Sequence, residues 1–160
     1  MNARYARGFG LFEILVSLIV VALGLIGVTK LQSNALFANT DAYHASLASF
    51  LAYEMAERIR VNPDGDSSYA LAMSTAPPTT LDCVASPCSA SNMARFDVQQ
   101  WISILSTSLP EGAGRIGFSG GAQEAYTVTV RWKPKMAGNC AADSSAGTDY
   151  SCFTLNIITS

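Results

Sequence analysis

The sequence has few of the residues that enzymes, metal sites and nucleic-acid-binding proteins use. It contains a single histidine, His44, and charged residues make up only 14% of its 160 residues. Ten Lys and Arg residues stand against twelve Asp and Glu residues, so there is no positive excess to neutralise a phosphate backbone. We therefore expect no catalytic residues, no cofactor, no metal and no nucleic-acid partner.

Charge is also missing from a long apolar run near the N-terminus. Residues 9–28, FGLFEILVSLIVVALGLIGV, hold one charged side chain, Glu13. At about 1.5 Å per residue the run spans a hydrocarbon core of about 30 Å. No small-x-small cleavage site follows it, which disfavours a signal peptide. Because Arg4 and Arg7 precede it, the positive-inside rule predicts a cytoplasmic N-terminus and an exported domain beyond residue 30.

The four cysteines indicate disulfides, since an even number in a small exported domain is typical of disulfide bonding. Three pairings are possible. Small and turn-forming residues in the intervening loops favour Cys83 with Cys88 and Cys140 with Cys152. A zinc site is disfavoured because these spacings are not CxxC pairs and His44 is distant in sequence.

A helix is expected to continue beyond the apolar run. Residues 31–60 contain no Pro or Gly, and Asn62-Pro63 marks the end of the helix near Arg60. Apolar residues with three- and four-residue spacing predict a core-facing stripe; these are Leu36, Tyr43, Leu47, Phe50, Leu51, Met55 and Ile59.

The rest of the chain predicts a second helix and a small sheet. Residues 62–92 are predicted to form an irregular connector with one helical turn near residues 69–73. A helix follows at 93–109, with Ser91 or Asn92 as its N-cap. We expect a strand at 115–119, and alternating residues predict two more at 126–132 and 153–157. The expected fold class is α+β, with the long helix packed on an antiparallel sheet and Trp101 and Trp132 in or near the core.

Three short patterns fail as enzyme or metal motifs because of their context. The GxGxxG match at 112–117 leaves a helix and enters a strand, the reverse of a phosphate-binding turn, so it predicts a plain turn. His44 near Asp41 lacks a nucleophile motif and reads as a solvent or subunit contact. Asp64-Gly65-Asp66 lacks the spaced ligands of a calcium loop and reads as a turn.

Glu13 is the main functional candidate. A carboxylate in a membrane helix costs several kcal/mol unless it is paired or protonated. No Lys, Arg or His lies within one helical turn, but a cut between Gly8 and Phe9 would create an amino terminus that could pair with Glu13 of a neighbouring subunit. The alternative is a tolerated acid near the end of a plain membrane anchor.

The residues around Glu13 resemble a known family signal. Arg7-Gly8-Phe9-Gly10-Leu11-Phe12-Glu13, followed by the apolar helix, is similar to the class III signal of type IV pilins and pseudopilins. Gly10 and Phe12 depart from the usual residues, and the mid-helix proline of many major pilins is missing, with Gly24 and Gly27 the only weak points. Segments 22–32, 56–63 and 132–134 resemble PilV-type minor pilins.

The resemblance implies a type IV pilin-like fold and a processing pathway. It implies a leader at 1–8, removed after Gly8 by a prepilin peptidase, and methylation of the Phe9 amine. Residues 9–29 would then form the transmembrane and assembly half of the helix, with Glu13 registering the incoming subunit. Residues 30–160 would form a periplasmic domain.

The implied function is that of a minor pilin that primes or caps a type IV pilus for twitching motility and adhesion. Its implied partners are the major pilin, other minor pilins, the inner-membrane assembly platform, a tip adhesin and, before assembly, the membrane itself. The protein would move from the inner membrane to the extracellular pilus. Two alternatives remain open: a type II secretion pseudopilin, and an uncut membrane-anchored periplasmic binding domain.

Overall fold

The computed structural model describes residues 10–77, 80–121, 124–140 and 149–159. These residues form an α+β fold with two disulfides, Cys83–Cys88 and Cys140–Cys152, as the sequence predicts. The elements in chain order are α1 (Leu11–Val61), a 3₁₀ helix (Pro63–Tyr69), β1 (Leu71–Ser74), α2 (Ala90–Ser108), β2 (Ala113–Ser119), β3 (Glu124–Trp132) and β4 (Ser151–Thr159).

The chain divides into two units, Met1–Asn39 and Thr40–Ser160. In the first unit, the described residues are helical from Leu11 onward and every side chain is exposed. The second unit contains the end of α1, the sheet, α2 and the hydrophobic core.

The helix α1 ends at Val61, directly before Asn62-Pro63, as expected. Its core face differs from the predicted stripe. Leu51, Met55 and Ile59 are buried, but Leu36, Tyr43 and Phe50 are exposed. The reason is that three alanines spaced four residues apart form a flat ridge that lets the helix approach the rest of the core closely; they are Ala48, Ala52 and Ala56, all fully buried.

The sheet is an antiparallel meander with the strand order β1-β2-β3-β4. In the central strand β3, Val128 pairs with Ile116 of β2 and with Leu155 of β4. The side chains of β3 that face the helices are almost completely buried, because β3 has a neighbour on both sides. They are Tyr126, Val128, Val130 and Trp132.

The prediction for the connector is wrong at one point. A helical turn was expected near residues 69–73, but the 3₁₀ helix ends at Tyr69 and the strand β1 follows it. Leu71 pairs with Ile116 and Ser74 pairs with Gly114. These partners lie about forty residues further along the chain, so local sequence patterns do not reveal the strand.

The helix α2 begins earlier than expected. Its N-cap is Ser89, whose hydroxyl accepts a hydrogen bond from the Asn92 amide at 3.4 Å, and not Ser91 or Asn92. Inside the helix, the Trp101 indole N–H donates to the Leu51 carbonyl of α1 at 2.9 Å. Trp101 is fully buried and Trp132 is 5% exposed, so both tryptophans lie in the core as predicted.

The GxGxxG match is a turn followed by a strand, as its context predicts. Gly112 lies between α2 and β2, and its amide donates to the Leu109 carbonyl at 3.0 Å. Gly114 is already within β2, where the Trp101 ring leaves no room for a side chain. Gly112 and Gly114 therefore allow close packing against α2.

Candidate assembly surfaces

Glu13 lies in the first turn of α1, and its side chain is exposed. The turn begins at Gly10, whose carbonyl accepts from the Glu13 amide at 3.0 Å. Gly8 and Phe9, the residues of the predicted cut site, lie outside the described residues. The structure therefore places the acid in an exposed helical turn, and the pairing with a processed amino terminus stays a prediction.

The first part of α1 is apolar on all sides. Within the described residues, α1 is the one helix long and apolar enough to cross a membrane, by its length and composition. Large apolar side chains around the whole helix are exposed, among them Leu11, Phe12, Leu18, Val20, Leu23 and Ile26. A helix that is hydrophobic on every face suits lipid or a bundle of similar helices.

The hydroxyl groups in this segment bond to the helix itself. Ser17 donates to the Ile14 carbonyl at 2.8 Å, and Thr29 donates to the Ile26 carbonyl at 2.9 Å. Such bonds satisfy a hydroxyl where no water is present. Glu13 is different, because a carboxylate cannot bond to backbone carbonyls unless it is protonated. It is therefore the polar side chain in this segment that most needs a partner from outside the helix.

In the second unit, α1 exposes an aromatic flank formed by Tyr43, Phe50 and Tyr53. Their exposed fractions are 63%, 64% and 53%. Tyr43 and Phe50 are seven residues apart and so lie on the same side of the helix, away from the buried alanines. An exposed aromatic surface of this kind on a helix is typical of a contact with another protein.

A polar network that the sequence does not reveal joins α1, the 3₁₀ helix and α2. The Arg58 guanidinium donates to Glu54 Oε1 at 2.8 Å and to Asp97 Oδ1 at 3.0 Å. Tyr69, which is fully buried, has its hydroxyl 3.1 Å from Asp97 Oδ2 and accepts from the Asn62 amide at 3.1 Å. Burial and the nearby Asp97 carboxylate raise the pKa of Tyr69, so its hydroxyl stays protonated at physiological pH.

Asp41 ties α1 to the loop after β3. Its two carboxylate oxygens accept hydrogen bonds from the backbone amides of Lys135 and Met136, at 2.7 and 3.0 Å. In the sequence, Asp41 is noted only as a neighbour of His44, which is expected to be a solvent or subunit contact. The His44 ring is half-buried, with its centroid 5.8 Å from that of Tyr43, so it is partly withdrawn from solvent.

A cluster around Glu111 joins the turn before β2 to the segments that flank β4. Glu111 has a positive φ of 50°, which is strained for a residue with a side chain. Its carboxylate accepts from the Lys133 ammonium at 2.9 Å and from the Tyr150 hydroxyl at 2.7 Å. The Arg131 guanidinium carbon lies 4.4 Å from the centre of the Tyr150 ring. These contacts hold Glu111 in the strained conformation.

The Glu111 cluster predicts a stability that depends on pH. The hydrogen bonds from Tyr150 and Lys133 lower the pKa of Glu111 below its ordinary value of 4.5. Since the folded pKa is lowered, the stabilisation is present above about pH 4.5 and is lost as the pH falls through the folded pKa. We expect the wild type to exceed the Glu111→Gln variant in unfolding free energy at pH 7, and the difference to shrink below pH 4.5.

Chemical denaturation of the full-length protein in detergent at a series of pH values measures this difference. The Tyr150→Phe variant serves as a control, because it removes the larger cause of the pKa shift. Its pH dependence should lie between those of the wild type and the Glu111→Gln variant. A wild-type advantage that stays constant from pH 7 to pH 3 would contradict this interpretation.

Among the described residues, no group of three or more His, Cys, Asp or Glu side chains is placed to hold a metal ion. Asp64, Gly65 and Asp66 belong to the 3₁₀ helix, where the turn was expected. The described surface presents the apolar first part of α1 with Glu13 and, in the second unit, the aromatic flank.

The comparison with protein families gives a match over residues 30–99. The matching family model is described as Tt1218-like, type IV pilin Tt1218. The match covers less than half of the chain, from the later part of α1 through the 3₁₀ helix and β1 into α2. The comparison with curated proteins found no match, and neither did the comparison with solved structures.

The fold is α+β and type IV pilin-like, with a long N-terminal helix, a four-stranded antiparallel sheet, a short helix and two disulfides. The match to the Tt1218-like family supports the resemblance to the type IV pilin superfamily that the N-terminal motif indicates. The matched region begins after Glu13, so it is independent of that motif. Pilins are in general structural proteins and not enzymes.

Proposed function

We propose that this protein is a minor pilin of a type IV pilus, processed between Gly8 and Phe9 and incorporated to prime or cap the filament. The observation that supports this proposal is the position of Glu13. It is an exposed acid in the first turn of α1 and the one charged residue between positions 10 and 29, and the later part of the same helix belongs to the pilin-like second unit. A carboxylate in this position requires a partner, and a processed amino terminus supplies one.

The aromatic flank of α1 supports the same proposal from the second unit. Tyr43, Phe50 and Tyr53 are too exposed for an isolated domain of this size to need them for its own core. In a filament, this flank would face other pilin subunits. The major pilin and other minor pilins are therefore the proposed partners, together with the prepilin peptidase and the assembly platform of the inner membrane.

The proposed route begins in the inner membrane, with residues 9–29 in the bilayer and residues 30–160 in the periplasm. Extraction of the apolar helix would then deliver the chain to the extracellular pilus. Roles in twitching motility, in adhesion and in binding a tip adhesin rest on the resemblance to PilV-type minor pilins alone.

Mass spectrometry of the N-terminal peptide tests the proposal. Surface filaments are sheared from cells, and the N-terminal peptide is analysed in this fraction and in the remaining envelope. We expect a chain that begins with N-methylated Phe9 in the sheared fraction. Its confinement to the envelope would favour a type II secretion pseudopilin, and a chain that still carries residues 1–8 would contradict both assignments.

A further inference from the structure

The strand β4 forms one edge of the described sheet. The loop through Gly138 and the Cys140–Cys152 disulfide lie against its first two residues, but the sequence of the strand lacks the charged residues and the proline that often protect such an edge. It pairs with β3 through all nine of its residues, and no strand of the described part of the chain pairs with its other side. Exposed edges are usually short, bulged, or guarded by charged residues or proline. The sequence of β4, SCFTLNIIT, contains no charge and no proline.

The opposite edge of the sheet is protected. The strand β1 has only four residues, and its register with β2 shifts between Leu71 and Ser74. A short, irregular strand is a poor template for further pairing. Of the two edges of the described sheet, β4 is therefore the longer and more regular one.

Ile157 of β4 is buried, but the core-facing side chains in the middle of the strand are not fully covered. Those of β3 that face the helices are at most 5% exposed, whereas Phe153 and Leu155 of β4 are only partly buried although they pack against the core. Tyr53 of α1, which is half exposed, lies beside them with its ring centre 6.1 Å from that of Phe153. An additional strand would cover these apolar side chains and bond to the free backbone groups of the edge.

The polarity of β4 is symmetric about Leu155, which identifies a suitable occupant. If two β4 strands run antiparallel with Leu155 opposite Leu155, residue 153 lies opposite 157 and residue 154 lies opposite 156. Directly opposed residues lie on the same face of a sheet. The core-facing pair is then apolar, Phe153 with Ile157, and the solvent-facing pair is polar, Thr154 with Asn156.

We propose that β4 pairs edge to edge with β4 of a second copy of this chain, forming a continuous eight-stranded sheet across a two-fold axis. The strand has no charge, so no like charges are opposed in this register. A two-fold interface brings the same surface of both subunits together, and the residue pattern of β4, which is symmetric about Leu155, is compatible with such an interface. The inference does not depend on the proposed filament role, because it rests on the sheet alone.

Charge substitutions on the solvent face of β4 test the proposal. In the Thr154→Lys/Asn156→Lys variant, positions 154 and 156 of one subunit oppose 156 and 154 of the other, so like charges meet twice. In the Thr154→Glu/Asn156→Lys variant, the opposed charges are opposite in sign. Both variants lose the same two side-chain contacts within the sheet, Thr127 with Asn156 and Thr129 with Thr154. They therefore form a matched pair.

The oligomeric state of the full-length protein in detergent is measured by sedimentation over a range of concentrations. We expect a dimer for the wild type, a dissociation constant at least about tenfold weaker for the double-lysine variant, and recovery of the dimer in the Glu/Lys variant. A monomeric wild type overturns the proposal. Equal dimerisation of both variants also overturns it, because the contact would then lie elsewhere, as between the apolar helices.

Hydrogen exchange provides a second measurement that does not need a variant. The amides of β4 should become more protected as the concentration of the wild-type protein rises, while those of β1 should not change. If both variants are monomeric with native near-UV circular dichroism, the proposed register is wrong. If a variant fails to fold, unchanged protection of β4 in the wild type decides against the pairing.

Discussion

The Glu13→Gln variant is expected to be cleaved normally but to disappear from the sheared filaments. Glutamine keeps the size and helix propensity of glutamate and removes only its charge. In the structure Glu13 is exposed in the first turn of α1, and no Lys, Arg or His lies within one helical turn of it. The charge therefore has no partner within its own helix, and its proposed partner is the amino terminus of a processed neighbouring subunit.

The expected effect is large because the pairing would take place in a medium of low dielectric constant. An unpaired amine or carboxylate at membrane depth costs several kcal/mol, and each 1.4 kcal/mol corresponds to a factor of about ten. We expect the amount of the variant in sheared filaments, relative to the envelope, to fall at least about tenfold. Immunoblotting of the two fractions measures this ratio, and mass spectrometry confirms the cleavage.

Ser17→Ala is the matched control. Ser17 lies one turn beyond Glu13 on the same helix, and its hydroxyl bonds to the Ile14 carbonyl of that helix. Its loss should leave incorporation unchanged. Wild-type incorporation of Glu13→Gln would mean that Glu13 is only a tolerated acid at the end of a membrane anchor.

Elements that depend on local pattern could be predicted from the sequence. The end of α1 follows from Asn62-Pro63, since proline excludes the helical conformation from the residue before it. The strands β3 and β4 follow from alternation, β2 was expected before the Gly120-Gly121 turn, and each strand extends beyond its predicted bounds by only a few residues. The apolar run and its single acid are visible because length and charge can be counted directly.

Features that depend on contacts between distant residues could not be predicted. The strand β1 exists because it pairs with β2, and the Asp41 carboxylate binds amides more than ninety residues away. The buried face of α1 differs from the predicted apolar stripe for another reason. Counting large apolar residues ignores alanine, although Ala48, Ala52 and Ala56 decide which side of the helix packs closely. The aromatic flank is what remains on the outside once that side is fixed.

The candidate site residues also divide into those visible in the local sequence and those that depend on distant contacts. Glu13 could be selected from the sequence because a lone acid in an apolar run is unusual. The Arg58 network and the Glu111 cluster could not, because charged residues are common and nothing local shows which ones meet. The edge strand β4 could be predicted only in part. Its lack of charge can be seen in the sequence, but its position at the edge depends on the strand order of the whole sheet.

The second large effect is expected for Gly114→Ala, at the contact between α2 and β2. A methyl group at Gly114 would lie 2.7 Å from Cη2 of Trp101 and 2.8 Å from Cδ1 of Leu105. Trp101 cannot move aside easily, because it is fully buried and its indole N–H is bonded to the Leu51 carbonyl. We expect the substitution to lower the unfolding free energy by about 3 kcal/mol, near the upper range for overpacking.

The expected cause can be isolated with a smaller ring at position 101. The Trp101→Phe substitution removes the ring atoms nearest to Gly114, so Gly114→Ala should destabilise the Phe-containing protein by only about 1 kcal/mol. Gly117→Ala is the control in the same strand, because its methyl group would lie 3.6 Å from the nearest side-chain atom, Cβ of Thr127, at ordinary contact distance. It should be neutral or slightly stabilising.

Denaturant unfolding of the full-length protein, followed by near-UV circular dichroism, gives the four free energies of this cycle. If the effects of Gly114→Ala and Trp101→Phe are simply additive, the Trp101 ring is not what excludes a side chain from position 114. A large coupling means that Gly114 is required so that α2, carrying Trp101, can lie against the sheet while Trp101 holds α1. The single glycine would then control the packing of three elements, and with it the placement of the aromatic flank on the second unit.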